Sequence, residues 1–315
     1  MKKQSLGVVA GITGLALLLT ACGGSTTDGS ADVGEASGQV KIDGSSTVFP
    51  LTALAAEDFQ LENPGIQVTV GSSGTGGGFE KFCRGETDAN NASRPIEEDE
   101  VEACAAAGIE WAELQFAVDA LTVVVNPAND WATCLTVEEL NKIWEPGSTV
   151  NNWSEVREGF PDVPLKLFGA GTDSGTFDYF TEVINGEGGA SRTDFTPTED
   201  DNVTVQGVSG SEGGLGYFGL SYFIENSDAL KALEIDGGAG CVAPSADTAQ
   251  AGTYVPLARP LFVYPSKQAL SRPEVKAFFD YYVANDIPIA EAAQFIPLND
   301  EQRTKLESDY AALVQ

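Results

Sequence analysis

Apolar residues recur along this chain with two periods, and polar, glycine-rich stretches separate them. Val40 to Asp43 (V-K-I-D) and Ile66 to Val70 (I-Q-V-T-V) alternate as strands do. Between them, Leu51, Leu54, Ala55 and Phe59 share one face of a helix over Pro50–Leu61, with Pro50 allowed in its first turn. Phe79–Arg84 predicts a short helix and Glu97–Ala107 a longer one. Ala117 to Asn126 (A-V-D-A-L-T-V-V-V-N) and Leu257 to Tyr264 (L-A-R-P-L-F-V-Y) are apolar runs suited to buried strands. Gly216 to Phe223 reads as an aromatic strand. Capping boxes, Thr136 with Glu139 and Ser271 with Glu274, open helices over Thr136–Trp144 and Ser271–Val283, and Gln302–Val314 is the last helix. Strands alternating with helices predict an α/β fold with a mainly parallel sheet. No unit of solenoid length repeats.

The separating stretches are as informative as the apolar runs. Pro164 to Phe168 alternates, G-A-G-T-D-S-G follows from Gly169, and Phe177, Phe180, Val183 and Ile184 then recur at helical spacing. Gly44–Val48 and Gly71–Gly78 likewise join a strand to a helix. This arrangement suits oxyanions, because the first helical turn has unpaired N–H groups and a partial positive charge, and glycine lets backbone approach a ligand. Asp88 to Pro95 (D-A-N-N-A-S-R-P) reads as a further polar turn, carrying Arg94.

The first residues are a targeting signal. Lys2 and Lys3 precede an apolar, small-residue stretch from Gly7 to Thr20, too short for an ordinary membrane span. Leu19 to Cys22 (L-T-A-C) resembles a bacterial lipobox, which implies a signal over residues 1–21, cleavage before Cys22 and lipid on its sulfur. A plain signal with an incidental cysteine is the alternative. Residues 22–39 are rich in Gly, Ser, Thr and Asp and read as a tether.

The remainder exceeds what one compact core usually holds, which predicts two lobes. The net charge is −30, and loss of Lys2 and Lys3 would take it to about −32. So acidic a chain argues against nucleic acid or a large anionic partner. It has no histidine, which removes Ser-His-Asp catalysis and imidazole-based zinc sites. No metal or cofactor site is expected. Besides Cys22 there are Cys83, Cys104, Cys134 and Cys241; an even count in an exported chain suggests two disulfides, with three pairings open.

Four motifs occur in order: G-S-S-T-V-F-P from Gly44, S-G-T-G-G-G-F from Ser73, A-S-R-P from Ala92 and G-T-D-S-G-T-F from Gly171. Together, behind a lipobox, they resemble the phosphate-binding lipoproteins of bacterial high-affinity phosphate ABC transporters. The resemblance implies a type II periplasmic-binding-protein fold, in which two α/β lobes joined by two crossover strands close on a dehydrated phosphate. The crossings are expected near Val123–Asn126 and Val255–Phe262, giving one lobe of residues 40–123 plus 258–315 and another of 124–257. That division favours the pairs Cys83–Cys104 and Cys134–Cys241. The implied partners are inorganic phosphate, the transporter's membrane subunits and, through the lipid, the outer face of a membrane; a monomer is expected.

Carried over by position, the resemblance places phosphate contacts at Thr47 and Val48, with Ser46 as an extra donor, at Thr75 and Gly76, and at Ser174, Gly175 and Thr176. Thr75 is preferred to Ser72 or Ser73 because it stands where a helix N-cap would. Two positions depart from the family. Many relatives carry arginine four residues before the S-G-T serine, where this chain has Ala170, and aspartate in the third motif, where it has Arg94. Read as one compensated change, these make Arg94 the ligand's cation; otherwise it is a surface or lobe-interface arginine. The lost aspartate leaves the acceptor for the phosphate proton open among Asp43, Asp119 and Asp173. The other readings are a receptor for another tetrahedral oxyanion such as sulfate, a phosphoesterase using Ser174 with Lys166 or Lys267, and a structural lipoprotein without a ligand.

Overall fold

The computed structural model describes residues 37–172, 174–198 and 200–315. The signal segment, Cys22, most of the tether and Asp173 lie outside them. In chain order the first elements are β1 (Gly38–Gly44), α1 (Phe49–Glu62), β2 (Ile66–Val70), α2 (Thr75–Cys83), β3 (Ala89–Ala92), α3 (Glu98–Ala106) and β4 (Leu114–Val125). Then come β5 (Cys134–Thr136), α4 (Val137–Trp144), α5 (Trp153–Val156), β6 (Lys166–Ala170), α6 (Gly175–Asn185), β7 (Thr196–Thr198), α7 (Asp201–Ser209), β8 (Gly214–Gly219) and α8 (Leu220–Glu225). The last are β9 (Lys231–Ala232), β10 (Glu234–Asp236), β11 (Cys241–Val242), α9 (Ala246–Gln250), β12 (Ala258–Pro265), α10 (Lys267–Leu270), α11 (Pro273–Ala284), α12 (Asp286–Ala292) and α13 (Asp300–Leu313).

One sheet runs β2-β1-β3-β12-β4-β8-β6-β7, with β9 also on β4. It is mixed, not mainly parallel. Its ends are parallel (β1 with β2 and β3; β6 with β7 and β8), but β4 and β12 run antiparallel to their neighbours through the middle. These two are the buried apolar runs of the sequence. β4 pairs with β12 up to Ala120 and with β8 from Leu121, so its change of partner falls ahead of the 123–126 window. β12 begins at Ala258, inside the second window.

Two principal cores flank this middle. Val40, Leu51, Phe59, Phe116, Phe278, Tyr282 and Leu306 belong to one. Leu121, Trp144, Trp153, Phe180, Tyr217 and Leu257 belong to the other. At roughly 1.5–3 kcal/mol for each large apolar side chain buried, each core is a sizeable driving force. Val118 and Ala120 of β4 pack with Leu220, Ala249 and Ile296 where the cores meet. The disulfides are Cys83–Cys104, tying α2 to α3, and Cys134–Cys241, tying β5 to β11, the favoured pairing of the three.

Several elements depart from the sequence pattern for physical reasons. Gly38 and Gln39 belong to β1, pairing with Ile66 and Gln67, and not to a tether. The polar turn expected over 88–95 contains β3, which lies between β1 and β12. Its Asn90 and Asn91 are wholly buried; Asn91 Oδ1 accepts from Thr52 Oγ1 at 2.9 Å, while Asn91 Nδ2 and both amide atoms of Asn90 have no partner among the described residues, so the strand is held by its backbone pairing to β1 and β12. The helix expected from Phe79 starts at Thr75, taking in three glycines, and its N-cap is Gly74 and not Thr75. A Cβ on Gly78 would lie 2.0 Å from Asn90 Oδ1, so this glycine lets α2 press against β3. The aromatic strand expected over 216–223 ends at Gly219, and Leu220–Glu225 is helical. The Ser271–Glu274 capping box does not form. Ser271 Oγ donates to Gln268 O at the end of α10, and α11 starts at Pro273 after Arg272.

Candidate functional site

Three helix N-termini and the two middle strands converge on the loop Ser45–Thr47. α1 begins at Phe49 with no side-chain cap and Pro50 in its first turn. α2 begins at Thr75, also without a side-chain cap. Such ends present amide donors and partial positive charge that a bound anion can satisfy. α6 differs: Ser174 Oγ accepts from Thr176 N at 3.2 Å, which leaves the hydroxyl proton free to donate elsewhere. The start of α6 lies against the loop, since a Cβ on Gly175 would stand 3.4 Å from Thr47 Cα.

Two cavities share the wall formed by Ser46 and Thr47. One, of about 220 Å³, is also bounded by Asp119, Ser174, Gly175, Thr176 and Tyr222. The other, of about 290 Å³, is bounded by Thr75, Gly76, Ser93, Arg94, Asp178, Tyr179, Glu182 and Arg259. Every residue singled out for ligand contact lies on these walls except Val48, whose side chain is fully buried and which can offer only its backbone. Thr75 Oγ1 lies 3.2 Å from Ser93 Oγ.

Arg94 borders the second cavity, but its nitrogens are engaged. Nη1 and Nη2 donate to the two oxygens of Glu100 at 2.8 Å each, and Nε lies 3.2 Å from Glu97. The Glu100 hydrogen bond raises its pKa further above the usual arginine value. Glu100 also accepts from Glu97 N in the capping box of α3, so Arg94 is built into that helix's first turn.

Arg259, on β12, is the cation at the centre. Its side chain is only 12 % exposed. Nη2 donates to Thr47 Oγ1 at 2.7 Å, and the guanidinium carbon lies 3.4 Å from the centre of the Tyr179 ring. Asp119 Oδ2 is 3.5 Å from Nε and Glu182 Oε2 is 3.7 Å from Nη1, and Nε has no hydrogen-bond partner. One short bond thus leaves most of five donors unspent.

The three acceptor candidates separate clearly. Asp43 is committed: it takes bonds from Lys81 Nζ (2.6 Å), Ser73 N and Oγ (3.0 and 2.8 Å) and Gly44 N (2.8 Å). Burial pushes its pKa up, but these bonds outweigh burial and hold it below the ordinary value. Asp119 is 8 % exposed, faces the first cavity beside Ser174 and is register-paired with Arg259. Burial raises its pKa, against the pull of Arg259. Asp173 lies outside the described residues.

Residues 29–286 match the family model of the PBP superfamily domain. The chain belongs to the PBP superfamily. It is 49 % identical to protein SphX of Synechococcus elongatus over 270 residues, 84 % of this chain and 80 % of that one. It is 38 % identical to the phosphate-binding protein PstS of Staphylococcus saprophyticus over 312 residues, 98 % of this chain and 94 % of that one. A solved structure from Planctomyces limnophilus, described as a possible phosphate binding protein, superposes with TM-score 0.86 at 49 % identity, covering 89 % of this chain and all of that one. The superfamily's α/β fold of type II periplasmic binding proteins accounts for two cores joined by two long middle strands.

At the junction of the cores the sequence reading missed Arg259. The signal was present: each apolar middle run contains a single charge, Asp119 in A-V-D-A-L and Arg259 in L-A-R-P-L. A charge within a buried strand needs a partner, and each strand holds the other's. Neither Lys166 nor Lys267 borders either cavity, so no lysine there is placed to activate Ser174. No helix among the described residues is long and apolar enough to cross a membrane.

Proposed function

We propose that this protein is an extracytoplasmic receptor that binds inorganic phosphate between its two cores and delivers it to the membrane subunits of an ABC transporter. The observation that carries this reading is the meeting of two uncapped helix N-termini, the Ser174 hydroxyl and the buried, under-used guanidinium of Arg259 at one loop. Phosphate would take donors from Ser46, Thr47, the Val48 backbone, Thr75, Gly76, Ser174, Gly175 and Thr176. Arg259 supplies the charge, and Arg94 frames the pocket from the loop before α3. Micromolar affinity needs about 8 kcal/mol. Helix ends at roughly 0.3–2 kcal/mol each fall short, but several charge-assisted bonds at about 1.5–3 kcal/mol each close the gap.

Asp119 is the acceptor for the phosphate proton in this reading. Phosphate near neutral pH keeps at least one proton, and sulfate keeps none. A buried carboxylate accepts the first and repels the second. The residues 40–123 with 258–315, and 124–257, act as the two closing lobes. Lipid on Cys22 would hold the receptor, as a monomer, at the outer face of a membrane. The PstS relative is named a phosphate-binding protein, and catalysis is no part of this function. Isothermal titration with phosphate and sulfate tests the reading. Heat with phosphate and none with sulfate is expected; silence with phosphate would end it.

A further inference from the structure

Two carboxylates stand where an anion is expected. Asp178 and Glu182 border the same cavity as Arg259 and Thr75. With Ser174 they recur every fourth residue along α6, so one helix face carries the clamp hydroxyl and then two negative charges. Asp178 has a local reason, because an acid in the first helical turn complements the helix dipole. Glu182 does not. It is the eighth of eleven residues in α6, beyond that turn, and its ion-pair partner is Arg259 on β12.

We infer that Glu182 is a built-in rival of the ligand: it neutralises Arg259 across the cleft in the free receptor, and phosphate binds by displacing it. This rests on the phosphate reading above. The two partners of Arg259 are unequal. Asp119 is short, buried and fixed on the neighbouring strand, so it stays. Glu182 has a longer stem, is 61 % exposed and lies 3.7 Å away, beyond hydrogen-bond range, so it can swing into solvent. With Asp119, Asp178 and Glu182 around Arg259, a phosphate dianion meets three negative charges against one positive, and the departure of one carboxylate cuts that excess from two to one. Glu182 is the one free to go. The exchange holds affinity below what the donors would support and speeds release, which suits a carrier that must give up its cargo.

Glu182→Gln keeps the shape and removes the charge at an exposed site. Its Kd for inorganic phosphate, by titration calorimetry, should be about 3–10-fold tighter than that of the unaltered protein, with slower dissociation by stopped flow. The gain should shrink as salt rises, since the pair is half in solvent. Glu187→Gln, an exposed change in the turn after α6, should leave Kd unchanged. Equal or weaker binding by Glu182→Gln, in a protein that itself binds phosphate, overturns the rivalry alone. An unaltered protein silent with phosphate overturns the phosphate reading and the rivalry together.

Discussion

Arg259 Nη2 donates to Thr47 Oγ1 at 2.7 Å, joining a middle strand to the first glycine-serine loop across 212 positions of sequence. Arg94, in contrast, lies in the loop before α3 and bonds to Glu100, six positions on, in that helix's first turn. The two arginines therefore predict different outcomes. Arg259→Met should weaken phosphate binding by about 30-fold or more, the worth of roughly 2 kcal/mol in charge-assisted bonds. Arg94→Met should cost less than about threefold in affinity and show itself in thermal stability instead. Titration of both variants, with melting curves as the check on folding, decides between them.

In the proposed function Asp119 governs which oxyanion is accepted. Asp119→Asn removes the charge that repels sulfate and supplies an amide donor in its place. Phosphate affinity should fall and sulfate binding should become measurable, narrowing the ratio of the two constants by at least about tenfold. An unchanged ratio in paired titrations would mean that the proton acceptor lies elsewhere.

Thr75 and Ser72 stand differently toward the pocket. Thr75 borders the second cavity and lies within bonding distance of Ser93 Oγ, whereas Ser72 is exposed and borders neither cavity. Thr75→Ala should weaken phosphate binding severalfold, by about 1 kcal/mol for one lost hydrogen bond. Ser72→Ala should leave it unchanged. The reverse order would show that the second loop meets its ligand through the serines.

Asp43 gives a pH prediction about stability. Its carboxylate organises the Gly71–Gly74 loop through Ser73 and reaches Lys81, and its folded pKa lies below the ordinary 3.8. A carboxyl depressed by folding contributes stability that is complete above its unfolded value and is lost as pH falls through the folded one. Asp43→Asn should therefore lower the urea midpoint at pH 7, and the deficit should close as pH falls below about 4. A deficit constant down to pH 3 would assign the effect to shape and not to charge.

Much of the scaffold was legible because it follows local rules. The alternation in Ile66–Val70, the apolar face of α1 and the Thr136–Glu139 capping box each appear as read. The failures have two causes, partners distant in sequence and competition among local ones. A-N-N-A is a central strand because β1 and β12 pair with its backbone on either side, and Thr52 reaches one of its four polar asparagine side-chain atoms. Ser271 and Glu274 had the spacing of a cap, yet Ser271 serves the preceding helix and Glu274 lies 3.6 Å from Arg272.

The same division holds at the site. By itself the sequence determined the three glycine-serine turns, the presence of helices behind them and the candidate hydroxyls, because turn chemistry is set within a few residues. Only the tertiary structure decided which arginine borders the pocket with donors unspent and which aspartate faces it. Asp43, Arg94, Asp119 and Arg259 look alike as letters in a chain. Folding gives Asp43 and Arg94 nearby partners that consume them. It buries Asp119 and Arg259 side by side on two strands that meet 140 positions apart in sequence, where desolvation makes each charge depend on the other and on whatever fills the cleft.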